Sequence, residues 1–295
     1  MILITGLTGT SGKAFYKVLC ENNFDEKIRV VVRKTTDLSI FENTPLNLEF
    51  AVGDICDLDF MKKAVEGARL VFHIAAKGKA KNVVEAICTA PQKPFACMVS
   101  STIVYSNYYR TSYLKEDEKT YVQNFNKNGI KYVFIRPTMI FGTPTDRNIS
   151  IFSCWFKKYP IFPIVKKGRA TIQPVHIEDL AAAYYLIMSN SDKLKSDDYI
   201  VSGKDEMTLL EMFKTISEVL KTKTIYINIP FPIAALMVNF LYHISLKRID
   251  FREKLDRLTE DRAYSHKKIS DEFGYAPLSF KERLEQTVKK YSDYA

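Results

Sequence analysis

The chain has 295 residues, 46% of them hydrophobic and 26% charged, with 43 lysines and arginines against 34 acidic residues and a formal net charge of +9. That composition excludes a disordered or low-complexity chain and fits one large domain, or a large domain with a smaller companion. The basic residues are scattered, with no dense basic helix and no nucleic-acid motif, so the expected partner is an anionic small molecule and not nucleic acid.

Met1 runs straight into Ile2-Leu3-Ile4-Thr5, which reads as a buried strand. No basic start, long apolar core or small-residue cleavage site accompanies it, so the reading is a cytoplasmic protein. Lys13 to Asn22 follows as a helix, with Phe15, Val18 and Leu19 on one face. Ile28–Val32 and Leu48–Val52 give the second and third strands, Phe60–Glu66 a helix stopped by Gly67, and Leu70–Ile74 the fourth strand. A helix over Asn82–Thr89, a strand over Ala96–Ser100, a polar helix over Tyr113–Asn126 and a strand over Lys131–Arg136 complete the alternation. Near-continuous apolar strands separated by helices predict an α/β fold, a doubly wound parallel sheet covered on both faces.

After Gly142 the alternation fades. Helices are expected over Phe152–Lys158, Asp179–Met188 and Leu209–Leu220, and a strand over Thr224–Ile229. Residues 1–142 are thus assigned to a nucleotide-binding domain, with the chain returning to it near 170–190, and 143–295 mostly to a smaller substrate lobe. Ile227 to Leu246 is strongly apolar, but Pro230, Pro232, Asn239 and His243 interrupt it. The uninterrupted apolar part is too short to span a bilayer. A buried helix is the first expectation, and one lying on a membrane surface the second. Cys20, Cys56, Cys88, Cys97 and Cys154 show no metal-ligand spacing and read as buried, reduced thiols; no metal site is expected.

The sharpest motif is Thr5-Gly6-Leu7-Thr8-Gly9-Thr10-Ser11-Gly12, between the first strand and the first helix. Gly6 permits the tight turn, Gly9 lets the backbone approach a pyrophosphate, and Gly12 lets helix and strand pack closely. The amides near Thr10 and Ser11 open a helix, where an anion is favoured. A ribose 2′-hydroxyl would call for an acid after the second strand. Arg33 and Lys34 stand there instead, which suits a 2′-phosphate and favours NADP over NAD.

Further motifs follow in order. They are Gly53-Asp54-Ile55, His73-Ile74-Ala75-Ala76, Ser100 to Tyr105 (SSTIVY), Arg136 to Gly142 (RPTMIFG), Pro174 to Ala181 (PVHIEDLA) and Phe273-Gly274-Tyr275-Ala276-Pro277. With the glycine loop, these make the chain resemble the extended short-chain dehydrogenase/reductases, the NAD(P)-dependent epimerases, dehydratases and reductases built on a Rossmann sheet. The resemblance implies that Thr8 to Gly12 hold the cofactor diphosphate and that Asp54 and Ile55 flank the adenine. It implies that Ile74, Ala75 and Ala76 let the cofactor approach, that Pro137 to Ile140 line the nicotinamide side, and that Ser101 bonds the reacting oxygen. His176 and Asp179 read as structural, with Asp179 expected to cap the helix that follows.

The family's acid/base is a tyrosine four residues before a lysine, whose ammonium lowers the phenol pKa. No tyrosine from Tyr105 to Tyr132 has lysine four residues on. Three readings stay open. Tyr109 or Tyr113 works from a shifted register with Lys115 or Lys119; Ser101 works with another group; or proton transfer is lost. Residues two apart on a helix point to different faces, which weighs against Tyr113 paired simply with Lys115. The expected functions, in order, are an oxidoreductase or epimerase acting on a nucleotide-activated sugar, a non-catalytic NAD(P)H-binding sensor or assembly module, and a reductase of a lipid-like or quinone substrate. A homodimer is compatible with the sequence.

Overall fold

In the computed structural model, which describes residues 1–75, 80–107, 112–146, 148–244 and 251–288, the first apolar run becomes β1 (Ile2–Thr5) and the glycine loop leads into α1 (Thr10–Glu21). There follow β2 (Ile28–Val32), β3 (Leu48–Val52), α2 (Leu58–Val65), β4 (Leu70–His73), α3 (Lys81–Thr89), β5 (Phe95–Val99), α4 (Ser112–Asn128) and β6 (Tyr132–Pro137). The second half contains β7 (Ile140–Phe141), α5 (Ile149–Lys158), β8 (Ile161–Val165), β9 (Thr171–Ile172), β10 (Val175–His176), α6 (Ile177–Ser189) and β11 (Asp198–Val201). It continues with β12 (Met207–Thr208), α7 (Leu209–Val219), β13 (Ile225–Ile229), α8 (Phe231–Ile244), α9 (Arg252–Arg257), α10 (Lys267–Phe273) and α11 (Phe280–Thr287).

The central sheet runs β11-β6-β5-β4-β1-β2-β3, every pairing parallel. The strand order reverses between β1 and β4, which places the ligand crevice at their carboxyl ends. Successive side chains alternate between two cores, because strand side chains alternate faces. Ile2, Ile4, Val30, Phe72 and Val133 meet Phe15 and Leu19 of α1 and Leu180, Tyr184 and Ile187 of α6. Leu3, Val31, Val71, Ala96 and Phe134 meet Met61 of α2, Val84 and Ile87 of α3 and Phe125 of α4. A third core in the second half joins Ile149 and Phe156 of α5, Ile164 of β8, Met212 and Phe213 of α7, and Leu284 of α11.

Four expectations change. β11, with only four residues beginning at Asp198, adds a seventh strand that the sequence pattern missed. His176, not Asp179, caps α6, its Nδ1 accepting from the Glu178 amide at 3.2 Å. Asp179 is buried and takes a bidentate pair from Arg283 at 3.0 and 2.5 Å, tying α6 to α11. Cys97 is buried, but Cys56 is exposed and Cys20, Cys88 and Cys154 are half-buried; all five are free thiols. Finally, α8 is not buried: only Ala234 is covered. Among the described residues, no helix is long and apolar enough to cross a membrane and no group of three or more His, Cys, Asp or Glu is placed to hold a metal ion.

Candidate functional site

Gly6 leaves β1 with φ +83°, a conformation that glycine adopts without strain. A side chain there would also strike the Ala75 amide, 2.7 Å from an ideal Cβ. Gly12 is buried in the first turn of α1, where a Cβ would lie 2.2 Å from the Gly6 carbonyl oxygen and 2.6 Å from the Leu7 Cα. The Gly9 amide donates to Gly6 O at 3.0 Å, and its carbonyl accepts from Lys13 N at 2.8 Å. Gly9 brings no side chain to cap α1, so the first amides, at Thr10 and Ser11, are left for an anion.

These residues wall a cleft of about 480 Å³ lined by Gly6, Thr8, Gly9, Thr10, Ser11, Val31, Val32, Arg33, Thr36, Gly53, Asp54, Ile55, Ile74 and Ala75. Of the sequence candidates for cofactor contact, Gly12 sits behind this wall as packing. Arg33 lines the cleft, while Lys34 is exposed and does not. Asp54 Oδ1 accepts from the Cys56 amide at 2.9 Å, a turn-stabilising bond. Pro137 is buried at the end of β6, its carbonyl accepting from Thr102 Oγ1 at 3.3 Å. Ala76 lies outside the described residues, as does Tyr109. The sequence did not single out Val31, Val32 or Thr36, and it gave Gly53 only as part of a motif, with no cofactor role. Their positions at the ends of β2 and β3 were the available signal, since that is where a doubly wound sheet holds its ligand.

Beyond β5 the chain turns through Ser100 and Ser101. Ser101 caps a single 3-10 turn over Thr102–Tyr105, its Oγ accepting from the Ile103 amide at 3.3 Å. Its hydroxyl hydrogen has no protein acceptor among the described residues and is free to donate. Behind it lies a polar chain built on Arg136 of β6. The guanidinium donates to Glu118 of α4 at 2.6 Å and to Asp198 of β11 at 2.9 Å. Ser100 Oγ donates to the other Glu118 oxygen, and Tyr105 OH donates to the other Asp198 oxygen at 2.7 Å. Arg136 also lies over the rings of Tyr105 and Phe134, 5.4 and 5.2 Å from their centroids. Burial, with the bond to Asp198, pushes the Tyr105 phenol pKa well above its usual value, so it stays protonated at neutral pH.

On α4 the inward positions are Leu114, Asp117, Glu118 and Tyr121, which with His73 and Ser100 line a small cavity of about 40 Å³. Tyr113 is 58% exposed, and Lys115 is half-exposed outside that lining. Neither residue lines this small cavity, and neither does Ser101; toward it α4 turns Leu114, Asp117, Glu118 and Tyr121. His73 shares a 2.7 Å hydrogen bond with Thr5 Oγ1 across β4 and β1, and burial lowers its pKa to about 4.

Residues 6–152 match the family model described as NAD(P)H-binding. The chain carries an NAD(P)-binding Rossmann domain. A 103-residue stretch is 30% identical to NADH dehydrogenase [ubiquinone] 1 alpha subcomplex subunit 9 of Arabidopsis thaliana, covering 35% of this chain and a quarter (25%) of that subunit's length. The uncharacterized protein y4nG of Sinorhizobium fredii is 22% identical over 93% of this chain and 74% of its own. The whole chain is similar in fold to UDP-glucose 4-epimerase from Thermotoga maritima, with TM-score 0.72, 17% identity and 99% and 98% of the two chains covered. It is likewise similar to dTDP-glucose 4,6-dehydratase from Streptomyces venezuelae with NAD bound, with TM-score 0.71, 17% identity and 99% and 97% covered.

The Rossmann domain thus presents a cleft walled by the glycine loop and, at the next strand ends, a polar cluster. The sequence reading missed the Glu118–Arg136–Asp198 chain. The available signal was Arg136 itself, a cation at the end of an otherwise apolar buried strand, which requires an acid nearby.

Proposed function

We propose that the protein is an NADP-linked oxidoreductase or epimerase acting on an anionic metabolite, a nucleotide-activated sugar. The observation that carries this reading is the glycine cradle. Two uncapped helix amides face a cleft whose floor at Gly6 and Ala75 admits no side chain. A bound nicotinamide would supply hydride exchange with a carbinol or carbonyl carbon. Arg33, at the mouth of the cleft, would meet a ribose 2′-phosphate, which favours NADP over NAD.

Within that reading Ser101 donates its free hydroxyl to the reacting oxygen. The Arg136 network holds the strand ends that carry Ser101 and engages the Tyr105 hydroxyl as a donor to Asp198. Full-length protein should turn over at least one UDP- or dTDP-hexose with NADP. Ser101→Ala should lower that turnover about a hundredfold, the scale for loss of one donor to a developing oxyanion, with NADPH affinity unchanged. Unaltered turnover in Ser101→Ala removes Ser101 from the mechanism.

A second reading is a cofactor-binding assembly module without turnover. It is favoured by the inward face of α4, where Leu114, Asp117, Glu118 and Tyr121 include no cation to lower a phenol pKa. The partial likeness to a protein named as a subunit of an NADH dehydrogenase is compatible with an assembly role. The hexose assay separates the two, since a module binds NADPH but converts no hexose.

A further inference from the structure

β8 and β13 pair in parallel, Ile161 opposite Ile225 and Val165 opposite Ile229. Their side chains alternate, so one face packs Phe162, Ile164 and Tyr226 against α5 and α7. The other face presents Ile161, Pro163, Val165, Ile225, Ile227 and Ile229. Every residue on that outer face is apolar, and Ile225 is 62% exposed. A solvated ribbon face is normally polar. Pro230 then turns the chain directly into α8, about 21 Å long, which exposes Ile233, Leu236, Met237, Phe240 and Ile244. Leu236 is 71% exposed and Phe240 66%. Ribbon and helix form a run of exposed apolar surface larger than single surface hydrophobics produce.

Cations outnumber acids in the segments that form this surface. Residues 147–177 and 219–249 contain ten lysines and arginines and no aspartate or glutamate, leaving 33 basic against 34 acidic residues in the rest of the chain. Seven of these ten cations lie among the described residues. Lys166, Lys167 and Arg169, three cations against the single acid Asp261, share a cleft with Pro230 and Phe231 at the start of α8. Lys166 and Lys167 are held there with φ of +47° and +59°, both in the left-handed region that lysine rarely adopts. Lys166 lies over the Phe231 ring, and Arg252 over the Tyr242 ring near the other end of the helix, 3.8 Å from its centroid.

We propose that the outer face of β8 and β13 together with α8 seats on an anionic lipid bilayer. The apolar side chains enter the acyl boundary, and the flanking cations meet headgroup phosphates. The occupant is chosen by charge. A second copy docked through the same patch would set like cations against each other across a two-fold axis, whereas an anionic lipid surface complements them. Because α8 is too short to span, it lies in the plane of the interface.

The test is co-sedimentation of the full chain with vesicles of phosphatidylcholine alone and of phosphatidylcholine mixed with phosphatidylglycerol. Binding is expected to the mixed vesicles and to fall steeply with added salt. Leu236→Asp with Phe240→Asp alters only exposed side chains and should weaken binding at least tenfold. Lys166→Gln with Lys167→Gln should do the same, at roughly fivefold per cation. NADPH affinity, read at the distant glycine loop, should stay unchanged in both and certifies the fold. Protein left in the supernatant with mixed vesicles, or equal binding to pure phosphatidylcholine, overturns the proposal. A concentration-dependent dimer that Leu236→Asp with Phe240→Asp abolishes, without vesicle binding, overturns it in favour of a self-interface. All these results are independent of whether the enzyme reading is correct.

Discussion

Gly12→Ala should reduce NADPH affinity at least a hundredfold while leaving most of the fold in place. One added methyl would stand 2.2 Å from Gly6 O and 2.6 Å from Leu7 Cα. Both are backbone atoms at the end of β1, so no rotamer change relieves the contact. Either α1 moves away from the sheet or the loop opens. Each response shifts the amides of Thr10 and Ser11 away from where a diphosphate would sit. Overpacking of this kind costs about 1–3 kcal/mol of stability. In a chain of this size that lowers the melting temperature by several degrees without unfolding the protein at room temperature. Calorimetric titration with NADPH, paired with a melting curve, checks both halves. A variant that melts earlier yet binds NADPH normally would show that the turn is structural only.

Arg136→Met should destabilise the protein by about 3–5 kcal/mol, the scale for removing one partner of a buried ion pair. The substitution keeps most of the side-chain volume but leaves Glu118 and Asp198 facing each other across β6 without their shared cation. Glu118 is the more deeply placed of the two and suffers more. Tyr105 and Ser100, anchored to the same two carboxylates, lose fixed partners, so the turn carrying Ser101 loosens with them. Urea unfolding with CD detection measures the loss. A midpoint within experimental scatter of the parent would mean that the network contributes nothing net. The companion substitution of Glu118 by Gln, which retains an acceptor for Ser100 and Arg136, should cost less.

Much of the fold was legible because its strands are fully buried. Ile2–Thr5 and Leu70–His73 are buried throughout, and Ile28–Val32 is apolar but for Arg29, as a covered parallel sheet asks. The cofactor loop was legible for a different reason. Glycine is needed where the backbone leaves no room for Cβ, so Gly6 and Gly12 record a steric fact in the sequence itself. β11 was not legible. Four residues carry too short a pattern, and Asp198 opens them because it answers Arg136, more than sixty positions away. Asp179 was misread for a related reason. A local rule assigns an acid at a helix start to a cap, but Arg283 claims it from the far end of the chain, leaving the cap to His176.

The polar side of the site was the least legible. The sequence offered Tyr113 and Lys115 by chemistry alone. Which residues face the sheet depends on the rotation of α4, and that is fixed by Leu114, Glu118 and Phe125 packing inward. α8 shows the opposite failure. Its apolar character was plain, and apolar usually means buried, but the ribbon and helix present that character outward. Periodicity reports that a surface is apolar and is silent on what covers it.

The account rests on diphosphate recognition at the opening of α1, and isothermal calorimetry of the full-length chain with NADPH and NADH tests it most directly. We predict saturable binding with a dissociation constant on the order of micromolar for NADPH, roughly −8 kcal/mol, and weaker binding for NADH. Absence of binding by either nucleotide at millimolar concentration would contradict the account.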